Sequence, residues 1–70
     1  MKQYVERLAG IETEARRMAR SGAYLEFSTI LRHLEERGYR DARRIFKNPW
    51  TRAEIDRLCR LARQNFDEVA

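Results

Sequence analysis

Five cations crowd one stretch of this 70-residue chain: Arg37, Arg40, Arg43, Arg44 and Lys47 fall within eleven residues that hold a single acid, Asp41. Arginine suits planar, two-pronged contact with phosphate or carboxylate, and it stacks on aromatic rings more readily than lysine does. A patch of this density could neutralise about three to five phosphates, enough for salt-sensitive nucleic-acid binding of low sequence preference. The same residues also fit a solvated surface, helped by Glu36 four residues before Arg40. Both readings stay open at the level of sequence.

The cations elsewhere look matched. Glu12 with Arg16, Glu54 with Arg57, Asp56 with Arg60 and Arg63 with Asp67 stand three or four residues apart, where side chains on one helix face meet. On that reading the last helix adds little to a phosphate site. The segment charges agree: residues 1–14 carry −1, residues 15–47 carry +5 and residues 48–70 carry zero, for a net +4 with thirteen arginines among fifteen cations. An anionic ligand is the natural one.

Other chemistry finds little footing. His33 has no second His or Cys at ligand spacing, so it reads as a surface histidine, and no metal or other cofactor is expected. Cys59 follows Leu58 on an apolar stripe and reads as a small buried hydrophobe, with no second cysteine to form a disulfide. Tyr24 and Tyr39 flank turns and could stack on bases of a single strand, but a Schellman contact would claim Tyr39, so packing is the favoured reading. No glycine-rich phosphate loop, no pair of carboxylates in an apolar setting and no nucleophile beside a base stands in the sequence, so catalysis is not expected.

The elements that must position these residues are helical. Tyr4, Leu8, Ile11, Ala15 and Met18 are spaced four, three, four, three, which predicts a first helix over about 3–20, with Gly10 a weak point worth roughly 1 kcal/mol relative to Ala. Gly22 ends it. A second helix over about 25–37 turns Phe27, Ile30, Leu31 and Leu34 inward and stops at Gly38, where a Schellman ending would make Leu34 the C3 and Tyr39 the C″ residue. A short third helix, about 41–47, takes Asp41 as N-cap and buries Ala42, Ile45 and Phe46.

A fourth helix over about 52–68 repeats the spacing of the first through Ile55, Cys59, Ala62, Phe66 and Val69, which makes the two natural partners. At its start Thr51 and Glu54 have capping-box spacing, with Trp50 and Ile55 placed as a hydrophobic staple. A DNA-binding helix-turn-helix around Gly38 fits poorly. The third helix has about seven residues before Pro49, three of them turned inward, and Arg44 stands where an apolar residue belongs.

Several short stretches belong together: Ala19-Arg20-Ser21-Gly22 with Tyr24; Ile30 through Leu34 to Gly38-Tyr39 and Ala42; and Trp50-Thr51 with Glu54-Ile55-Asp56, Leu58-Cys59 and Ala62. As a set, over about residues 15–63, they resemble a group of small bacterial proteins, mostly proteobacterial, to which no activity is attached. The resemblance implies a bacterial cytoplasmic origin and a compact helical fold, and it carries over no functional residue.

The expected architecture is therefore one all-α domain over 1–70, a bundle of about four helices. A chain this short buries only roughly 60% of its unfolded surface, which keeps a homodimer in view. No uninterrupted apolar run exceeds Ala23 to Leu25, so neither a membrane span nor a secretion signal is expected, and the cytoplasm is the expected location. The leading functional expectation is a noncatalytic accessory or regulatory factor that binds nucleic acid, DNA or RNA, through residues 37–47. The alternative is a protein-interaction module or homodimer joined through the apolar stripe of the first helix.

Overall fold

The computed structural model describes the backbone of residues 2–69 and the side chains of residues 5–64. Four helices follow in chain order: α1 (Lys2–Arg20), α2 (Phe27–Glu36), α3 (Ala42–Ile45) and α4 (Pro49–Val69). No strand occurs among the described residues, and no helix there is long and apolar enough to cross a membrane.

One core joins all four. Ile11, Ala15 and Met18 of α1 meet Ile30 and Leu34 of α2, Ala42 and Ile45 of α3 with the adjoining Phe46, and Ile55 and Cys59 of α4. The matching four-and-three spacing of α1 and α4 makes them the most extensively packed pair. Ala15 and Cys59, small side chains of this core, have no exposed surface. The α1 stripe from Ile11 to Met18 is therefore consumed inside the chain. It is not a free seam for a partner helix, and Tyr4 at its start lies outside the described side chains.

Two glycines set the turns. Gly22 (φ 79°) follows α1 and Gly38 (φ 94°) follows α2, both in the left-handed region that a side chain disfavours. At Gly38 the Schellman pattern is complete: the Tyr39 N–H donates to the Leu34 carbonyl and the Gly38 N–H to that of Glu35, each at 3.0 Å. Gly10 does not interrupt α1, which runs unbroken through it.

The start of α4 differs from the sequence expectation. Asn48, not Thr51, is the N-cap: its Oδ1 accepts the Trp50 N–H at 2.9 Å, and its carbonyl accepts from Thr51 at 3.1 Å and Arg52 at 3.2 Å. Two start signals overlap here. Asparagine caps at least as well as threonine, and Pro49 at the first helical position has its φ already set and no N–H to satisfy, so the earlier signal prevails. Thr51 becomes the third helical residue, the capping box with Glu54 cannot close, and there is no staple: Ile55 is buried while Trp50 is 83% exposed.

The ends of α2 and α3 also shift. α3 is a single turn, because Phe46 and Lys47 already lie in the turn that leads to Asn48, and one turn is too short to read a major groove. Asp41 makes no side-chain cap; its carboxylate serves Arg7 at 3.0 Å and Arg44 at 3.7 Å instead. α2 starts at Phe27, and Glu26 before it makes no side-chain cap either. The acceptor comes from across the bundle: Asp56 Oδ1 on α4 accepts the Phe27 N–H at 2.8 Å, an anion at the positive end of another helix's dipole.

Candidate nucleic-acid interface

The 37–47 stretch forms an exposed corner, because the Gly38 turn and the one-turn α3 change the chain direction twice within it. Arg37 caps α2, Arg40 lies in the following turn, Arg43 and Arg44 stand on α3, and Lys47 lies in the turn before α4. All five are exposed. Ala42, Ile45 and Phe46, all buried, hold the corner to the core from beneath.

The single acid that sequence shows beside these cations is joined in space by two more. Arg43 places Nε and Nη2 on the two oxygens of Glu35 at 3.2 and 3.3 Å, a forked contact between α3 and α2. Arg37 reaches Glu14 of α1 at 3.4 Å, and Arg44 lies 3.7 Å from Asp41. Glu14 also pairs with Arg17, and Asp41 with Arg7. Arg40 and Lys47 make no ion pair among the described residues. Three carboxylates thus serve five arginines, with two further cations left over, and the corner stays strongly positive.

Glu14 carries the electrostatic mark of this arrangement. The hydrogen bond from Arg17 holds its carboxyl below the usual carboxylate range, burial opposes this, and the charges of Arg17 and Arg37 lower it further. Glu14 therefore stays ionised and keeps Arg17 and Arg37 on one anchor.

The cations of α4 are arranged otherwise than their sequence neighbours suggest. Glu54 pairs with Arg16 of α1 at 3.0 Å rather than with Arg57, while Arg16 also lies 3.7 Å from Glu12 as expected. Asp56 is engaged by the Phe27 N–H rather than by Arg60. Arg57 and Arg60 are consequently left without an ion pair among the described residues. Arg63 donates to the Leu25 carbonyl at 3.1 Å, and Arg52 lies over the Phe27 ring at 5.9 Å. The expected Arg63–Asp67 pair involves a side chain outside the described residues.

The residues read as structural take no part in the corner's ion pairs. His33 is exposed and shares a 3.0 Å hydrogen bond between its Nδ1 and the Tyr24 hydroxyl, with the rings edge to face at 5.6 Å. Cys59 is fully buried, and burial pushes its thiol up, with Asp56 adding to the effect, which suits an inert core sulfur. Tyr39 edges a groove of about 320 Å³ between Gly10 of α1 and the turn at Gly38–Asp41. Among the described residues no three His, Cys, Asp or Glu side chains gather as a metal site would require.

Sequence reasoning missed two features of this surface: the exposure of Trp50, and Arg57 and Arg60 standing without an ion pair among the described residues. The first was signalled by Asn48-Pro49, since a helix that begins at Pro49 turns its second residue outward. The second had no local signal, because both competing partners come from other helices. No protein family, curated protein or solved structure matches this chain, which leaves its function to be read from geometry and charge.

Proposed function

We propose that this protein is a noncatalytic nucleic-acid-associated factor, accessory or regulatory in role, that binds phosphate through the 37–47 corner. The observation that carries the reading is the excess of cations over carboxylates there: Glu14, Glu35 and Asp41 are shared among five arginines, and Arg40 and Lys47 stand outside that network. Surface ion pairs of this kind are worth roughly 0–1 kcal/mol each, so a phosphate can take over a guanidinium at little cost. The carboxylates meanwhile keep long side chains partly ordered. The competing reading, a module joined through the apolar stripe of α1, is less favoured because the chain's own core covers that stripe from Ile11 to Met18.

Binding of a labelled duplex of mixed sequence, measured by anisotropy over a range of salt, tests the proposal. The double variant R40A/K47A should weaken binding and lower the slope of log affinity against log salt by about 1.8, at roughly 0.9 for each phosphate that goes without its cation. The variant R20A/R32A removes the same charge from positions outside the corner and should leave the slope nearly unchanged. Equal losses in the two variants would reduce the effect to net charge, and no binding by the parent at low salt would overturn the reading.

A further inference from the structure

Trp50 is the only tryptophan of the chain, and it stands 83% exposed at the second position of α4. In a domain this small each buried aromatic matters, and nothing about that helical position calls for an indole. A period of 3.6 residues puts Arg57, Leu61 and Gln64 on the same side of α4 as Trp50, with Arg60 at its edge, and all four are exposed. Among the described side chains of α4 the acids are Glu54, which shares this side and is engaged by Arg16, and Asp56, which is engaged by the Phe27 N–H. Lys47, exposed and without an ion pair among the described residues, precedes Trp50 by three residues. An aromatic plate is thus preceded by Lys47 in the turn before α4 and followed along the helix by Arg57 and Arg60, cations that have no carboxylate partner among the described residues.

We propose that this edge of α4 binds single-stranded nucleic acid, Trp50 stacking on an unpaired base while Lys47, Arg57 and Arg60 contact the flanking phosphates. Every base offers a π face to an indole, so such a site tolerates any sequence, whereas the bases of a duplex already stack on one another. A protein partner fits the face less well. Trp50 and Leu61 lie about 16 Å apart along the helix with Arg57 between them, and the centre of a protein interface is depleted of charge. The inference rests on the phosphate-binding reading of the chain and adds to it the class of nucleic acid and a second contact surface.

The emission of the single tryptophan reports on the site directly. At low salt, a 20-nucleotide oligothymidylate should quench Trp50 fluorescence as it binds, and a duplex of mixed sequence should not. W50A should weaken oligothymidylate binding by about tenfold, as loss of one stacked base implies, and leave duplex binding within about twofold. R57A/R60A should lower the salt slope on the single strand by about 1.4, at roughly 0.7 for each phosphate released. Because Trp50 makes so little of the core, W50A should keep the parent circular dichroism spectrum and melting temperature. Oligothymidylate binding with unchanged emission and no loss in W50A would overturn the α4 site while leaving the phosphate reading standing. Failure of both oligonucleotides to bind the parent would overturn both.

Discussion

The corner at 37–47 and the outer edge of α4 exchange roles between sequence and structure. Along the chain the corner has five cations around one acid, while each of Arg57, Arg60 and Arg63 has an acid within about one helical turn. In space the corner gains Glu14 and Glu35 from α1 and α2, and α4 gives up its neighbours: Glu54 crosses to Arg16, and Asp56 caps α2. The corner becomes an ordered, partly paired cationic surface, and α4 holds cations with no pair among the described residues beside an exposed indole. The difference teaches that spacing on a helix identifies candidate ion partners without ranking them against partners on another helix. A local pair at three or four residues is worth only roughly 0.2–0.5 kcal/mol, so a backbone N–H in need of an acceptor readily draws the carboxylate away.

The largest effect should come from the carboxylate that connects the two helices. D56A leaves the part-buried Phe27 N–H without its charged acceptor and should destabilise the domain by about 1–3 kcal/mol in a denaturant melt. R60A should stay within about 0.5 kcal/mol of the parent, as a surface substitution does. Matching losses for D56A and R60A would mean that Asp56 serves Arg60 after all, and the contrast between the two regions would collapse.

The start of α4 decides whether Trp50 faces water, so it offers the next test. N48A should cost about 1 kcal/mol through loss of the Trp50 N–H acceptor, whereas T51A should cost less than about 0.5 kcal/mol because Thr51 caps nothing. Thermal melts of the two variants distinguish them. The reverse order would move the helix start two or three residues along the chain, turn Trp50 toward Ile55 and remove the aromatic from the α4 surface.

The smallest effect belongs to the corner's own anchors, which are solvent-exposed pairs weakened by screening. Glu14 has a folded pKa below its unfolded one, so its contribution is present at neutral pH and fades as pH falls below about 4.3, the ordinary glutamate value, through the folded pKa. E14Q lacks that contribution at every pH. Its stability should therefore approach that of the parent as the solution is acidified, and added salt at pH 7 should narrow the gap in the same way. A gap that persists at low pH would assign Glu14 a packing role and not an electrostatic one.

What the sequence determined by itself is local or additive. The α1 stripe from Ile11 to Met18 and the α4 stripe at Ile55 and Cys59 followed from spacing alone, Phe66 and Val69 lying outside the described side chains, and so did the inward sides of α2 and α3, because hydrophobic burial sums over a helix face and survives shifts of a residue or two at the ends. The stops at Gly22 and Gly38 followed too, together with the Schellman bonds at Tyr39, since a left-handed residue is a property of its own backbone. Tertiary structure decided every choice in which two partners compete. Arg57 and Arg16 both qualified as partner of Glu54, and Arg60 and the Phe27 N–H both as partner of Asp56. Such choices turn on differences of about 1 kcal/mol between groups that only the packing of α1, α2 and α4 brings within reach. They also determine which cations of α4 are left without an ion pair among the described residues.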